Sequence, residues 1–275
     1  MAQTSKVESK VQQSMTPPKK ETTKFQFPTE IIDLPSKGIV YPKSNPLSSG
    51  KVEMKYMTAR EEDILTNANY IKNGVAIDKL MASLVVDKNI NLDELLIGDK
   101  NAIMIAARIL GYGADYEITR IHPQTGIETE CNIDLSKVSD KELNEDLLKE
   151  GKNEFDFVLP SSKVNVTFKL LTQKDEKTID REIEGLKKIN KTGSDGVVRL
   201  KHTITSINGE YDTKTIRDFV ENNLLAIDAR ALRKQIEYIQ PGIDMSVEVE
   251  YKDGYVEENV MLPIGLNFFW PDASV

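Results

Sequence analysis

Residues 98–133, GDKNAIMIAARILGYGADYEITRIHPQTGIETECNI, contain the pattern that decides the fold, which is a helix followed directly by a β-hairpin. Asp99 is predicted to be the N-cap of a helix over about residues 100–110, because its side chain can accept a hydrogen bond from a free amide of the first turn. Two segments rich in β-branched residues, 116–121 and 127–133, then predict antiparallel strands joined by a short turn. This order of elements indicates an α+β protein.

The sequence before this stretch predicts two further helices. Thr58-Ala59-Arg60-Glu61 has the form of a capping box, in which the Thr hydroxyl and the Glu carboxylate bind free amides at a helix start. Apolar residues at helical spacing follow as far as Ile71, and Asn73-Gly74 is predicted to end the helix. Residues 76–86 predict a second helix with one apolar face.

The first 57 residues divide into a tail and an arm. Residues 1–24 are polar and carry too few apolar side chains to offset the entropy of ordering. A disordered tail is therefore predicted, which either orders on a partner or has no role. Residues 25–57 are rich in Pro and Gly and also in apolar residues, and they predict an extended arm that packs through tight turns and ends in a half-buried strand.

The second half of the chain shows a similar order of elements. Its segments predict two strands around Pro160-Ser161-Ser162, a helix over 174–190, a helix or a strand over 197–207, a helix that begins at Asp212 or Thr213, a helix over 228–239 and a closing hairpin around Lys252-Asp253-Gly254. We therefore predict two blocks, residues 58–150 and residues 151–275, each made of helices followed by a hairpin. The similar order suggests an internal duplication, which is a hypothesis.

Composition and charge limit the classes of function. The chain has 275 residues and a net charge of −8, which argues against nucleic acid as the main partner, although a local basic patch stays open. The single cysteine, Cys131, has no partner for an intrachain disulfide. The sequence contains no run of about eighteen apolar residues, so no membrane span is predicted. The N-terminus lacks the apolar core of a signal peptide.

Motifs for catalysis and metal binding are missing from the sequence. His122, His202 and Cys131 are too few for a Cys/His zinc cluster, although both hairpins have the strand–turn–strand form of a zinc ribbon. There is neither a Gly-x-Ser-x-Gly motif nor a phosphate-binding loop. The acidic residues 61–63 lie at a predicted helix start, where the helix dipole explains them better than an acid–base pair does. We expect no enzymatic activity, no cofactor and no metal.

Six residues are candidates for contacts with other proteins: Tyr41, Arg230, Arg233, Phe268, Phe269 and Trp270. Arg230 and Arg233 share one face of the predicted helix behind Asp228. They form either a solvated ion-pair face or a clamp for a carboxylate on this chain or on a neighbour. Phe268-Phe269-Trp270 is the densest aromatic cluster, and it belongs either to the core or, if exposed, to a partner site.

Several segments also resemble one family of structural proteins. They are LPSKGIVYP at 34–42, LSSGKVEM at 47–54, MTAREEDIL at 57–65, GDKN at 98–101, AARILGYG at 106–113, DARALR at 228–233 and FFWP at 268–271. In these segments the chain is similar to the baseplate hub subunits and hub assembly proteins of T4-like contractile-tailed bacteriophages. The resemblance extends over most of the chain from about residue 25. Some members carry Cys pairs in the hairpins, and this chain lacks them.

The resemblance implies a structural component of the baseplate hub. Such a protein acts by contacts with other hub or tail proteins, without nucleic acid or a membrane as a partner, and a homo-oligomer stays open. It is located in the tail baseplate of the virion, and in the host cytoplasm during assembly. The alternative is an assembly chaperone that holds hub proteins and is absent from the virion. A hub-associated hydrolase is a third hypothesis, which the missing catalytic motifs disfavour.

Overall fold

The computed structural model describes residues 28–188 and 195–269, so the predicted tail of residues 1–24 lies outside the described residues. The described residues form helices together with antiparallel sheets, which confirms the α+β prediction. Most of the buried apolar side chains belong to one continuous core, which contains residues from both predicted blocks. The position of a boundary between the blocks stays a prediction.

The N-terminal segment folds back on itself. Strand β1 (Thr29–Asp33) pairs antiparallel with β2 (Lys51–Lys55), and the residues between the strands form successive tight turns. The buried apolar side chains of these turns are Leu34, Val40, Tyr41 and Leu47. Gly38 has a φ of 76°, and a Cβ at this position would lie 2.5 Å from the carbonyl oxygen of Ser48. Only glycine therefore fits this turn, which packs the predicted arm against the core.

The first half continues with helices and a hairpin. These elements are α1 (Ala59–Thr66), α2 (Ala68–Lys72), α3 (Ala76–Leu84), α4 (Ile97–Tyr112), β3 (Asp115–Ile121) and β4 (Glu128–Asp134). The sequence predicted α1 and α2 as one helix. The Asn67 side chain instead accepts hydrogen bonds from the amides of Asn69 and Tyr70, and it caps a new helix at this point.

A buried carboxylate holds the start of α1. Glu61 accepts a hydrogen bond from the amide of Thr58 at 3.0 Å, as in the predicted capping box, and the Thr58 hydroxyl also donates to it at 2.6 Å. The Ser83 hydroxyl at 2.6 Å and the Lys55 ammonium at 2.7 Å also donate to Glu61. Burial alone would raise the pKa of Glu61, but these donors outweigh it and lower the pKa from 4.5 to about 2.

We expect Glu61→Gln to remove an acid-labile part of the stability. A carboxyl group whose pKa is lower in the folded chain stabilises the fold above its unfolded pKa, and this contribution is lost as pH falls toward the folded pKa. The free energy of unfolding of the wild type should exceed that of Glu61→Gln most near pH 7, and the margin should shrink between pH 4.5 and about 2. Urea unfolding at several pH values measures the margin, and a margin that does not change with pH would contradict this role.

Asp99 corrects one sequence prediction. It is not the N-cap of α4, because Leu96 holds that position and Asp99 lies in the first turn, fully buried. The Asp99 carboxylate accepts hydrogen bonds from the Ser36 amide (2.9 Å), the Ser36 hydroxyl (2.7 Å) and the Tyr41 hydroxyl (2.6 Å). Burial raises the pKa of Asp99 above its ordinary value despite these donors. The carboxylate therefore ties the N-terminal turns to the start of α4.

The second half begins with a small sheet and continues mainly as helices. Its elements are β5 (Phe155–Val158), β6 (Asn165–Phe168), α5 (Gln173–Lys188), α6 (Asp195–Thr203), β7 (Ile204–Ile207), α7 (Thr213–Asp218) and α8 (Ala226–Ile239). Strand β6 lies between β5 and β7 and pairs antiparallel with both. Residues 197–207, which the sequence left as helix or strand, contain the end of α6 and all of β7.

The first helix of the second half starts in the same way as α1. Asp175 accepts hydrogen bonds from the Thr172 amide (3.0 Å) and the Thr172 hydroxyl (2.9 Å), and Lys169 donates to it at 2.7 Å. In both halves the Thr lies three residues before the carboxylate, and the Lys lies six residues before it. This recurrence supports the hypothesis of an internal duplication.

The two predicted hairpins form one sheet. Strands β8 (Ser246–Tyr251) and β9 (Val256–Met261) make the closing hairpin, and the strand order is β3-β4-β8-β9. Strands β4 and β8 pair antiparallel in a short register that places Cys131 opposite Tyr251. The sequence did not predict this pairing, which joins the two halves of the chain.

His122 lies at the turn of the first hairpin and contacts the second hairpin. It is buried, and its Nδ1 accepts hydrogen bonds from the amides of Gln124 (3.1 Å) and Thr125 (3.3 Å). Its ring packs edge-on against Tyr251, with the two ring centroids 4.5 Å apart. The histidine thus stabilises a turn and the packing between the hairpins.

Candidate interaction surface

Asp228 positions helix α8. It is fully buried in the first turn, and it accepts hydrogen bonds from the amides of Ser161 (2.8 Å) and Ser162 (2.9 Å). Burial alone would raise the pKa of Asp228, but the hydrogen bonds outweigh it and lower the pKa. The start of α8 is therefore fixed against the turn between β5 and β6.

The loops that face Asp99 and Asp228 are alike. Leu34-Pro35-Ser36 precedes one contact, and Leu159-Pro160-Ser161 precedes the other. In each half, a carboxylate at the third position of a helix accepts a hydrogen bond from the amide of the Ser that follows Leu-Pro. This is a second recurrence that supports the hypothesis of an internal duplication.

Helix α8 has one buried face and one exposed face. Ala229, Leu232 and Ile239 are buried in the core. On the opposite face, Ile227 and Tyr238 are 62% and 61% exposed. These two exposed apolar side chains make this side of α8 a candidate surface for contacts with other proteins.

The same helix exposes cations. Arg230, Arg233 and Lys234 are exposed, and none of them forms an ion pair within residues 28–188 and 195–269. Asp228 does not pair with them, because its oxygens accept backbone amides of another loop. The predicted ion-pair face is therefore not formed within the described chain. We define the α8 face as Ile227, Arg230, Arg233, Lys234 and Tyr238.

The other predicted contact residues lie elsewhere. Tyr41, Phe268 and Phe269 are buried, so they are core residues rather than surface contacts. The Tyr41 hydroxyl is occupied by Asp99, and the Phe268 ring packs on Tyr116 with centroids 5.1 Å apart. Phe268 and Phe269 belong to the short helix α9 (Leu266–Phe269). Trp270 lies outside the described residues.

The structure also places the residues considered for metal binding and reactivity. Within the described parts of the chain, no group of three or more His, Cys, Asp or Glu side chains is arranged to hold a metal ion. Cys131 is buried in β4, where its thiol donates to the carbonyl oxygen of Ile118 at 3.3 Å, and burial raises the pKa of that thiol. None of the helices in the described ranges has the length and apolar character needed to cross a membrane.

The sequence analysis named two residues of the α8 face, Arg230 and Arg233, as candidates for contacts. It did not name Ile227, Lys234 and Tyr238. The signal that was available is their spacing, since Ile227, Arg230, Lys234 and Tyr238 recur every three or four residues and so share one row of the helix.

Comparison with known proteins identifies the family. Residues 40–270 match the family model described as T4 bacteriophage base plate protein. No curated protein and no solved structure gives a significant match. The matched range contains the N-terminal turns from residue 40, the helices, both hairpins and the whole α8 face. The chain therefore belongs to the T4 bacteriophage base plate protein family.

Proposed function

We propose that the chain is a structural subunit of the baseplate hub of a contractile-tailed phage, and that it acts by protein contact rather than by catalysis. Its place is the tail baseplate of the virion, and it meets other hub or tail proteins in the host cytoplasm during assembly. The family supports the baseplate role. The observation that carries the mode of action is the α8 face, where unpaired cations lie beside exposed apolar side chains.

The α8 face combines residue types that are favoured at protein interfaces. Tyr and Arg are enriched at interfaces and often account for much of their binding energy. Ile227 is 62% exposed, and its removal from water by a partner contributes about 1–2 kcal/mol. Tyr238 adds a flat amphipathic ring at the other end of the face. A partner that covers both residues must also cover the cations between them.

The cations define the chemistry of this partner. The chain has a net charge of −8, yet the three cations of the α8 face form no ion pair within the described residues, and only one exposed carboxylate, Glu237, lies on the same side of the helix. Carboxylates on a partner would pair with Arg230 and Arg233, and bidentate pairs of this kind fix the register of two surfaces. We therefore expect the partner to present an acidic surface to α8. The partner is either another hub or tail protein or a second copy of this chain.

Mass spectrometry of intact particles and of unassembled lysate tests the proposed role. A hub subunit should be found in purified particles at a fixed small copy number. If the chain is found only in lysate, bound to hub proteins, then it is an assembly chaperone and the proposed role is wrong. If it is found in neither fraction with other baseplate proteins, the baseplate role itself is refuted.

We expect Arg230→Glu combined with Arg233→Glu to block incorporation of the chain into particles. The double reversal replaces attraction to acidic residues by repulsion, and a loss of about tenfold or more in the affinity for the partner is expected. Particle-associated chain, measured after complementation with the variant, should fall accordingly. The melting temperature of the purified variant should stay close to that of the wild type, because both side chains are exposed.

Arg181→Glu combined with Arg217→Glu is the matched control. Both residues are exposed on other helices, and neither forms an ion pair among the described residues, so the control makes the same change in net charge. It should be incorporated like the wild type. Normal incorporation of the Arg230 and Arg233 variant would show that the α8 face is not the contact surface.

A further inference from the structure

A basic concavity lies between the first three helices and the end of β2. Its volume is about 580 Å³, and it is open to solvent on one side. Lys55 of β2, Arg60 of α1, Lys79 of α3 and Lys88 of the following loop contribute to its lining. All residues that line the concavity belong to the described part of the chain, and none of them is acidic. The concavity shares no residue with the α8 face.

The four cations differ in how far their charge is compensated. Lys55 is neutralised by Glu61 at 2.7 Å. Lys88 donates to the carbonyl oxygens of Ala82 (2.8 Å) and Val85 (2.5 Å), which hold the ammonium in place but carry no net charge. Arg60 and Lys79 are exposed and have no ion-pair partner in the described parts of the chain. Three positive charges therefore face the concavity without a counter-ion.

The rest of the lining is suited to a side chain rather than to a free ion. Ile64 and Val86 contribute apolar surface, and Val86 is 40% exposed. Tyr70 adds a half-buried ring from α2. An aliphatic side chain of a partner that packs on these residues would be removed from water. Carboxylates on either side of that aliphatic residue would then be able to reach Arg60 and Lys79.

We propose that this concavity binds an acidic segment of another protein. Two carboxylates of the segment pair with Arg60 and Lys79, and an aliphatic residue between them packs on Ile64 and Val86. Charge complementarity supports this occupant, since the site is a local excess of positive charge on a chain of net charge −8. The proposal goes beyond the function assigned to α8, and it predicts a second partner surface on the same molecule.

The neighbouring surface favours a short acidic segment over a nucleic acid. An adjoining concavity of about 320 Å³ shares Ala82, Val85 and Lys88 with the basic one. Its further lining includes Asp87, together with Asp78 and Asp93, which both pair with Lys177 at 2.7 Å. A nucleic acid needs a continuous track of positive charge for its regularly spaced phosphates. Beyond Lys88 this lining holds three carboxylates against the one ammonium of Lys177, so no track of positive charge continues there, and a short segment that stays within the basic concavity is favoured.

Fluorescence anisotropy with a labelled peptide tests the proposal. The probe is a ten-residue peptide in which Asp and Glu residues flank two leucines, and the control probe has Asn and Gln in place of the acids. We expect the full chain to bind the acidic probe and not the amide probe. Arg60→Glu combined with Lys79→Glu should weaken this binding by about tenfold or more, while Arg181→Glu combined with Arg217→Glu leaves it unchanged.

Each other outcome overturns the proposal. If the wild type does not bind the acidic probe, or if the Arg60 and Lys79 variant binds it equally well, the concavity is not a site for acidic segments. If a labelled single-stranded oligonucleotide binds more tightly through the same two residues, the occupant is a nucleic acid. If sedimentation shows self-association that the same variant abolishes, the occupant is a second copy of this chain. The Arg230 and Arg233 variant should still bind the probe, so failure of this proposal is distinct from failure of the α8 face.

Discussion

Replacement of Asp99 by Ala is expected to lower the free energy of unfolding by about 3–5 kcal/mol. The change removes the acceptor of three hydrogen bonds, which come from the amide and hydroxyl of Ser36 and from the hydroxyl of Tyr41. Ser36 and Tyr41 are buried, so these donors cannot turn to water without opening the N-terminal turns. Urea unfolding followed by circular dichroism at pH 7 measures the loss.

Two variants make this result specific. Ser36→Ala removes one donor and leaves the carboxylate bound to Tyr41, so a loss of only about 1 kcal/mol is expected. Asp99→Asn keeps the size of the side chain and cannot ionise. Burial raises the pKa of Asp99 in the folded chain. The contribution of Asp99 to the free energy of unfolding is therefore fully present below its pKa in the unfolded chain, and it decreases as pH rises through its pKa in the folded chain. The deficit of Asp99→Asn should thus be larger near pH 4 than near pH 7, which is the opposite of Glu61→Gln. Equal losses for Asp99→Ala and Ser36→Ala would contradict the link between the turns and α4.

Phe268→Ala is expected to destabilise the fold by about 3–5 kcal/mol. The Phe268 ring is 1% exposed and packs against Tyr116 and Phe269, with ring centroids 5.1 Å and 5.4 Å away. Its carbonyl oxygen also accepts a hydrogen bond from Nε of the buried Arg108 at 3.2 Å. Truncation leaves a cavity beside these groups, so the chain should unfold at a lower temperature. Thermal unfolding followed by circular dichroism measures the shift.

The same variant separates the two interpretations of the terminal aromatic residues. If Phe268 is a core residue, Phe268→Ala should lower the free energy of unfolding. Phe268→Leu, whose side chain fills most of the same volume, should then lower it by only about 1 kcal/mol. A contact residue should leave stability unchanged and reduce incorporation into particles. If Phe268→Ala melts like the wild type and yet fails to assemble, Phe268 is a contact residue and its burial in the core is not what determines its role.

Local patterns in the sequence predicted the order of elements well. The capping box at Thr58 and Glu61 is present, and the closing hairpin lies where the alternation and the Asp-Gly turn placed it. These features depend on residues that are close together in the chain. Asp99 was assigned wrongly because its partner Ser36 lies 63 residues away, and a carboxylate near a helix start looks the same whether it caps that helix or binds a distant loop.

The candidate surface was harder to predict for a different physical reason. The spacing of Arg230 and Arg233 indicates that they share a side of the helix, and this does not depend on the rest of the fold. Whether Ile227 and Tyr238 are buried does depend on the rest of the fold. An apolar residue in an amphipathic helix normally faces the core, so the sequence alone does not indicate that these two are exposed. The aromatic residues at the end of the chain show the reverse case. Phe268 and Phe269 belong to the core although their density also fits an interface.

The pairing of β4 with β8 joins two strands that are made at well separated times during synthesis. Cys131 and Tyr251 face each other across this pairing, so one edge of β4 stays uncovered while the ribosome makes the residues between them. At about 5–20 residues per second, this interval lasts on the order of ten seconds. An uncovered strand edge is a template for pairing with another chain. The pairing with β8 ends this exposure, so nascent chains of this protein are most open to edge-to-edge association before β8 has been made.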